Sequence, residues 1–505
     1  MSIRQMIGPA LSLPLLALGA LPASAGEQPE QNFALVIGYN GLPSATSDES
    51  IQPLHYADDD ALAFYQLQKE LGADVVLLTV ADAETRRRYP QIADGVRAPT
   101  IDEITRSIDA LNARMDAVAR QGISPVFTFF YSGHGARDAK GEAALALQDG
   151  MLSQSAMHER VLDRLRAPLV HLFIDACHAE AVVRPRDIDA KTVEIRPQDL
   201  VEHLSRASAT RYRHVGFVIA SSSGASTHEW DLYQSGVFTH EVISGLRGVA
   251  DVNHDGRVEY AELGAFLMAA NREVVDPRAR VSSVVQPPAA GTHRALSRLA
   301  SGATIGRLTG IPPSAGRFFI EDKRGNRILD GHAEPGFSIS VGVPPDELLF
   351  LRNRDEEAEL TVKAGTEAQF GALAFSPRPL RARGAMDTSL REGLFLMPFG
   401  PAYYSGYLDQ MESGGEVSQV RAPEPTSTRR KTVWALRGGS AALLATSVVF
   451  GALAWDAHRD FENTTYQRQA ADASDRYKLD ATLGITFAIS GLACAAASYL
   501  AGLRQ

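Results

Sequence analysis

Cysteine is nearly absent from this 505-residue chain, which contains only Cys177 and Cys494. So few cysteines exclude a disulfide-rich scaffold and a zinc site built on several thiolates. An excess of positive charge is also missing, because 50 Lys and Arg face 60 Asp and Glu, for a net charge of −10. Proteins that bind nucleic acids depend on basic residues that neutralise phosphates. The sequence therefore predicts no nucleic-acid partner.

The rest of the composition is typical of folded globular domains. Hydrophobic residues make up 45% of the chain and charged residues 22%, which excludes a wholly disordered or collagen-like protein. At about 150 residues per domain, the length allows about three domains.

The first 25 residues have the features of an export signal. Arg4 precedes a mostly apolar run over residues 6–21, and Ala23-Ser24-Ala25 fits the small-residue cleavage pattern. The sequence therefore predicts a signal peptide over residues 1–25, with an uncleaved membrane anchor as the alternative.

The other end of the chain carries two long uncharged segments. Residues 438–455 and 481–503 contain no Asp, Glu, Lys or Arg, and each is long enough to cross about 30 Å of hydrocarbon as a helix. Both are rich in Gly, Ala and Ser, which allow close helix packing. We expect a transmembrane helical hairpin over residues 433–505, in contact with membrane lipid. Two buried helices of a soluble domain are the alternative.

These two ends together predict an exported protein that is anchored in the inner membrane of the cell envelope, with its body in the periplasm. The flank before the first segment and the loop after it each carry four Lys and Arg. The positive-inside rule therefore favours neither topology, and only the signal peptide argues for an external body.

Residues 30–300 alternate between strand-like and helix-like segments. Alternation of this kind predicts an α/β domain with a mostly parallel sheet flanked by helices. The predicted helices cover residues 58–71 and about 101–118, the second with a capping pattern at Thr100 and Glu103. The predicted strands are the apolar runs at residues 33–37, 75–78, 126–130, 169–174 and 215–219.

Beyond residue 300 the pattern changes. Residues 301–376 contain short alternating runs and a hairpin signal at Gly325-Asn326, which predict a small β-sandwich. Residues 377–431 contain Pro, Gly and Ser, and we expect a linker there, with one aromatic patch from Phe395 to Tyr407. A position near the membrane interface and a last β-hairpin are the two alternatives for this patch.

Two predicted strands end in reactive side chains. The third strand leads into His134 and the fourth into Cys177. The carboxyl ends of neighbouring parallel strands meet at one edge of a sheet, so the two side chains converge if these strands are neighbours. The imidazole can then activate the thiol, and the amides of Gly135 and Cys177 can stabilise an oxyanion. Taken singly, a buried small Cys and a polar turn His are the simpler interpretations.

Tyr131-Ser-Gly-His-Gly135 followed by Asp175-Ala-Cys-His178 resembles the caspase-like cysteine peptidases, most closely their metacaspase and bacterial branch. The resemblance implies the caspase-like fold and a dyad in which His134 is the base and Cys177 the nucleophile. It also implies an endopeptidase that acts on protein or peptide substrates without a cofactor in the chemical step.

The same resemblance suggests a substrate-binding pocket formed by Asp60, Ser132 and Asp175. In metacaspases an acid two residues before the nucleophile helps to bind Arg or Lys at P1, the residue before the cleaved bond. A pair of carboxylates suits a guanidinium, which accepts bidentate pairing. We therefore expect cleavage after Arg and, less readily, Lys. For Asp60, helix capping remains an alternative.

One departure from the family pattern leaves activity open. Ala179-Glu180 replaces the usual small residues after Cys-His, and the added charge of Glu180 can raise the pKa of the thiol. A catalytically weak or inactive binding scaffold of the same fold is the alternative, and a calcium-dependent module that binds the envelope through the β-sandwich is another. Glu229, after the fifth strand, is a candidate for the substrate groove.

Residues 251–262 resemble the calcium loop of an EF-hand over all twelve positions. The resemblance implies side-chain oxygens from Asp251, Asn253 and Asp255, the carbonyl of Arg257 and a bidentate Glu262. Calcium is the one cofactor that the sequence suggests, with its structural or regulatory role left open. A turn that merely retains acidic residues is the alternative.

Overall fold

The computed structural model describes residues 28–42, 52–91, 96–137, 142–176, 212–221, 229–275, 280–299, 304–377 and 393–412. The predicted signal peptide, Cys177, Glu180 and the predicted membrane hairpin lie outside these ranges. Within them, no helix has the length and apolar character that a membrane span requires.

The region up to residue 299 contains a central sheet and several short strand pairs. In chain order, its strands are β1 (Glu30–Tyr39), β2 (Asp74–Thr79), β3 (Ser124–Gly133), β4 (Gly135–Arg137), β5 (Ala143–Leu147), β6 (Gly150–Ser153), β7 (Leu169–Asp175), β8 (Val215–Ser221), β9 (Glu229–Trp230), β10 (Ser235–Gly236), β11 (Arg257–Glu259), β12 (Ser282–Gln286) and β13 (Ala295–Arg298).

The central sheet has six strands in the order β12-β8-β7-β3-β1-β2. The five predicted strands correspond to β1, β2, β3, β7 and β8, and they all run parallel. The sixth strand, β12, is antiparallel to β8 and was not predicted. The prediction of an α/β domain with a mostly parallel sheet is therefore confirmed.

Helices cover both faces of this sheet. They are α1 (Ala57–Glu70), α2 (Ala83–Arg88), α3 (Ile101–Ala119), α4 (Gln154–Ala156), α5 (Val237–Ser244), α6 (Tyr260–Asn271) and α7 (Pro401–Glu412), with π-helical turns at Met157–Leu162 and Gly245–Val249. Helices α1, α5 and α6 share one apolar core with the sheet, and α3 shares the core on the opposite face. The predicted cap of α3 is present, because Glu103 N donates to Thr100 Oγ1 at 3.1 Å.

A close approach between β1 and α1 fixes where the helix begins. A Cβ on Gly38, near the end of β1, would lie 2.2 Å from the carbonyl oxygen of Ala57, the first residue of α1. Only glycine allows this distance. Because Asp60 is in the first turn of α1, the contact also sets the position of its carboxylate over the carboxyl edge of the sheet.

Residues 304–377, here called the β unit, form two further sheets. Their strands are β14 (Gly306–Ile311), β15 (Arg317–Asp322), β16 (Arg327–His332), β17 (Ile339–Val343), β18 (Leu349–Arg352), β19 (Glu356–Leu360), β20 (Glu367–Gln369) and β21 (Phe375–Pro377). The sheet orders are β17-β14-β20 and β16-β15-β18-β19-β21. Apolar residues of both sheets, including Phe318 and Val341, join the same buried cluster as Phe64 of α1. The β unit therefore packs onto the α/β region.

The expected linker over residues 377–431 does not hold for residues 393–412. Phe395 and Phe399 are buried, and Phe395 N donates to the carbonyl oxygen of Ala270 at 3.0 Å. Helix α7 follows directly and contacts α6. The aromatic patch that looked like part of a linker covers apolar surface that α6 would otherwise expose.

Candidate active site

The two strands that carry the sequence motifs are neighbours in the sheet. Strands β3 and β7 run parallel, and Ser132 lies opposite Asp175 in their register. His134 and Cys177 each follow two residues later in the sequence. The condition for convergence of the two reactive side chains is therefore met, although Cys177 itself lies outside the described residues.

The imidazole of His134 is held by a backbone carbonyl. Its Nε2 lies 3.0 Å from the carbonyl oxygen of Gln52, and the side chain is only 8% exposed. A carbonyl can only accept, so Nε2 carries the proton in this arrangement and Nδ1 is the free acceptor of the neutral ring. Burial lowers the pKa of His134, and the bond to Gln52 offsets part of that change. The ring is thus neutral and able to take a proton at neutral pH.

The two glycines that flank His134, Gly133 and Gly135, have different structural roles. A Cβ on Gly133 would lie 2.5 Å from the Tyr131 hydroxyl, which is 3.0 Å from the His134 carbonyl oxygen. Ala146 N donates to that same carbonyl at 2.9 Å. This bond makes Gly135 the non-hydrogen-bonded position of the β4–β5 pair, so its N–H points away from β5. The amide of Gly135 is therefore available for an oxyanion.

The predicted pocket acid on α1 is fully enclosed by hydrogen-bond donors. Ser132 Oγ donates to Asp60 Oδ2 at 2.7 Å. Ser235 Oγ and Gly236 N donate to Asp60 Oδ1 at 2.5 Å and 2.9 Å. These bonds come from two elements, β3 and β10, and they fix the carboxylate rather than leave it to cap the helix. The helix-capping alternative for Asp60 is therefore not supported.

The second acid, Asp175, lies beside the first. Thr239 Oγ1 donates to Asp175 Oδ2 at 2.7 Å. A Cβ on Gly236 would lie 2.7 Å from Asp175 Oδ2 and 2.9 Å from Asp60 Oδ2, so both carboxylates contact the same side of Gly236. The structure therefore brings together all three predicted pocket residues, Asp60, Ser132 and Asp175.

Burial and mutual repulsion make both acids hard to ionise. Burial raises the pKa of Asp60 well above its usual value, and the charge of Asp175 raises it further. Burial also raises the pKa of Asp175 to about 6, against the stabilising bonds from Thr239. A cation placed between the carboxylates would favour their charged forms. The arrangement is suited to bind a positively charged group.

Three residues of this pocket were missed at the sequence level: Ser235, Gly236 and Thr239. They precede or begin α5, about 60 residues beyond Asp175 in the chain. No residue of the segment over positions 235–240 was among the predicted site residues. Nothing in its local pattern indicates which carboxylate its hydroxyls would contact.

The neighbouring acids of α1 have different partners. Asp58 Oδ1 accepts from Asn40 Nδ2 at 2.7 Å, and Asp59 Oδ1 lies 2.9 Å from Arg88 Nη1. Of the three consecutive aspartates, only Asp60 contacts the pocket.

Glu229 was predicted as a candidate for the substrate groove. In the structure it contacts the segment that contains Gln52, the hydrogen-bond partner of His134. Its carboxylate accepts from Tyr56 N at 2.7 Å and from His55 N at 2.9 Å. These two residues follow closely on Gln52, the partner of His134. Burial raises the pKa of Glu229 to about 7. Glu229 thus helps to fix the backbone that orients the imidazole.

The loop over residues 251–262 makes a tight turn in which side chains accept from backbone amides. Asp251 Oδ2 accepts from Gly256 N at 3.0 Å, and Asn253 Oδ1 accepts from Asp255 N at 2.9 Å. Gly256 has a φ of +75°, which glycine tolerates. Strand β11 within the loop pairs with β13, so the position where a second EF-hand loop would pair is filled by another strand.

Two carboxylate oxygens in this loop are buried without a hydrogen-bond partner. They are Asp251 Oδ1 and Glu262 Oε1, and the Glu262 side chain is 2% exposed. Burial raises the pKa of Glu262 to about 7, and the charges of Asp251 and Asp255 add to this. Buried polar atoms normally have a partner, so these oxygens fit a cation. In the described ranges, no group of three His, Cys, Asp or Glu side chains is arranged as a metal site, so the loop would have to rearrange to hold one.

Comparisons with known proteins identify the family of the chain. A family model described as the caspase domain matches residues 31–294. Among solved structures, the chain is similar to the protein GSU0716 from Geobacter sulfurreducens, with 17% identity, a TM-score of 0.32, and coverage of 53% of this chain and 99% of that one. It is also similar to the structure of pro-sf-caspase-1, with 13% identity, a TM-score of 0.28, and coverage of 56% and 92%. A search of curated proteins found no match.

The support that Glu229 gives to His134 can be tested with a matched pair of variants. Glu229→Ala removes the acceptor from the backbone amides of His55 and Tyr56, of which Tyr56 is buried. In an assay for the peptidase activity that the caspase-domain match suggests, we expect kcat to fall roughly 10- to 100-fold as the imidazole loses its alignment. Glu229→Gln keeps the accepting oxygen and should stay within about threefold of the parent. Equal kcat values for the two variants would contradict this role.

Proposed function

Because the chain belongs to the caspase-domain family, we propose that it is a cysteine endopeptidase that cleaves peptide bonds after Arg or Lys. The observation that carries the proposal is the pair of buried acids, Asp60 and Asp175, set against Gly236 beside the strand that bears His134. Protein or peptide is the substrate, and the chemical step uses no cofactor.

In the proposed mechanism, Nδ1 of His134 takes the thiol proton of Cys177, and the thiolate sulfur attacks the scissile carbonyl carbon. The amides of Gly135 and Cys177 stabilise the oxyanion. His134 then gives its proton to the leaving amine, and water hydrolyses the acyl-enzyme. The bond from Nε2 to the Gln52 carbonyl keeps Nδ1 as the reacting nitrogen throughout.

The preference for a basic P1 residue follows from charge. Two buried carboxylates that raise each other's pKa are stabilised by a guanidinium or ammonium group. A guanidinium offers several donors in a fixed plane, so Arg should be favoured over Lys. An acidic or large apolar P1 side chain would leave the carboxylates unpaired and is expected to bind poorly.

A peptide panel that varies only P1 tests the pocket. We expect the parent enzyme to prefer Arg, then Lys, over Ala and Asp, and Cys177→Ala to be inactive. Asp60→Asn and Asp175→Asn should lower kcat/KM for Arg peptides roughly 100-fold, because each removes a charge from the pair. Asp59→Asn alters a buried acid of the same helix that faces Arg88 and is the matched control.

The binding-scaffold alternative makes the opposite prediction in the same assay. An arginyl chloromethyl ketone would leave Cys177 unlabelled, and no peptide of the panel would be cleaved. Faster turnover of Asp than of Arg peptides would be consistent with a peptidase but would contradict the proposed preference for a basic P1 residue.

The pH dependence of substrate binding should report the carboxylate pair. Asp175 has a pKa raised to about 6, so as pH falls through that value the pocket gains a proton and loses attraction for a cation. We expect KM for an Arg peptide to rise roughly tenfold between about pH 7.5 and pH 5. The rise should be changed in Asp175→Asn, in which Asp60 is the one acid of the pair that can still take up a proton. A KM that is flat over this range in the parent enzyme would contradict the assignment.

We also propose that the loop over residues 251–262 binds calcium. Asp251, Asn253, Asp255, the Arg257 carbonyl and Glu262 would hold the ion, and it would pair the two buried oxygens of Asp251 and Glu262 that have no hydrogen-bond partner. Calcium prefers carboxylate and carbonyl oxygens in flexible geometry. The ion takes no part in the chemical step.

Calorimetry and thermal denaturation of the full chain test the calcium site. Addition of about 1 mM calcium, a concentration typical for extracellular calcium modules, should release binding heat and raise the denaturation midpoint. Glu262→Gln should abolish both effects, and Glu273→Gln, an acid outside the loop, should preserve them. Absence of heat and of any shift in the parent protein would remove the site.

A further inference from the structure

We infer that the β unit controls the shape of the acidic pocket through helix α5, and that Asp330 of strand β16 is a positioning residue for substrate binding. This inference rests on the proposed function and deepens it. It assigns a role to residues 304–377, which the caspase-domain match over residues 31–294 does not include.

The amino end of α5 supplies most of the donors of the pocket. Ser235 and Gly236 donate to Asp60, and Thr239 donates to Asp175. These three residues lie just before and within the first turn of the helix. A rotation or shift of α5 would therefore move the donors of both carboxylates at once.

The next residue of the helix is anchored in the β unit. His240 Nε2 lies 2.7 Å from Asp330 Oδ2, with both side chains buried. Arg327 donates to both oxygens of Asp330, at 2.7 Å from Nε and 2.6 Å from Nη2. Although burial opposes it, Arg327 and His240 hold the pKa of Asp330 below its usual value. The anchor thus consists of the bidentate ion pair between Arg327 and Asp330, with the buried imidazole of His240 hydrogen-bonded to the same carboxylate.

A second bond to Asp330 fixes the helix one turn further on. Asp330 N donates to Ser244 Oγ at 3.0 Å, and Ser244 Oγ donates to the His240 carbonyl oxygen at 2.8 Å. The centroids of the Tyr233 and His240 rings are 4.0 Å apart. The Arg327 guanidinium lies over the Tyr233 ring, 5.2 Å from the centroid of that ring. Asp330 therefore holds α5 at two points along its length, and both the axial position and the rotation of the helix depend on it.

This arrangement does more than add stability. Apolar packing alone tolerates small sliding movements of a buried helix, because contacts between hydrocarbon groups have little directionality. The hydrogen bonds between α5 and the pocket acids do not tolerate them, since bonds weaken steeply with distance and angle. The polar anchor at Asp330 supplies the directional constraint that the pocket requires.

The test compares two acids of the β unit that pair with arginine. In the full chain, Asp330→Asn removes the charge and one of the two oxygens that accept from Arg327 and His240. The bidentate pair is then lost, and we expect KM for an Arg peptide to rise roughly tenfold with kcat within about threefold of the parent. Glu357 of strand β19 forms an ion pair with Arg352 of strand β18, away from α5. Glu357→Gln breaks this pair and should leave KM unchanged. Ser244→Ala removes only the second contact and should give a smaller rise in KM, which keeps the test valid if Asp330→Asn does not fold.

Failure of this inference is distinct from failure of the proposed function. A parent enzyme that cleaves after Arg, with Asp330→Asn folded and showing the parent KM, overturns the inference alone. If Asp330→Asn lowers the denaturation midpoint but leaves KM unchanged, the inference is also overturned, because Asp330 then only stabilises the fold. Benzamidine binding to Cys177→Ala, measured by calorimetry, checks the pocket without turnover. If neither cleavage nor benzamidine binding occurs in the parent pocket, the proposed function fails first.

Discussion

Burial of two neighbouring carboxylates, Asp60 and Asp175, is the constraint on which the arrangement of the site depends. Charged groups removed from water are destabilising unless donors or a counter-charge compensate them. The fold supplies donors from β3, from the β9–β10 hairpin and from α5, and the glycine at position 236 lets both acids come close. These elements are brought together by the same edge of the sheet that carries His134, so the pocket and the reactive imidazole share one framework.

A further buried acid, Glu229, stabilises the backbone near the imidazole of His134. Glu229 in β9 lies opposite Gly236 of β10 and accepts from the backbone amides of residues 55 and 56. One short hairpin therefore contacts the acids through one strand and supports the partner of His134 through the other. Under the proposed function, movement of this hairpin would disturb substrate binding and proton transfer together.

Local patterns predicted much of the fold. Apolar runs marked the five parallel strands, whereas Asp60, Ser132 and Asp175, which the structure brings together, were suggested by the resemblance to the caspase-like peptidases. Contacts distant in sequence were invisible to such patterns. The pairing of β12 with β8, the docking of residues 393–412 on α6, and the bond between His240 and Asp330 each join segments whose own sequences indicate nothing about the partner.

Burial acts on the base and on the pocket acids in opposite directions. It lowers the pKa of His134 and raises that of Asp175 to about 6, because in each case it disfavours the charged form. The base thus stays neutral over a wide range of pH, whereas the acids are fully ionised only in the upper part of that range. A bound guanidinium would favour the ionised acids and lower their pKa. If the pocket binds a basic side chain as proposed, substrate binding and proton release are linked, and near neutral pH the bound cation supplies the positive charge that the buried acids lack.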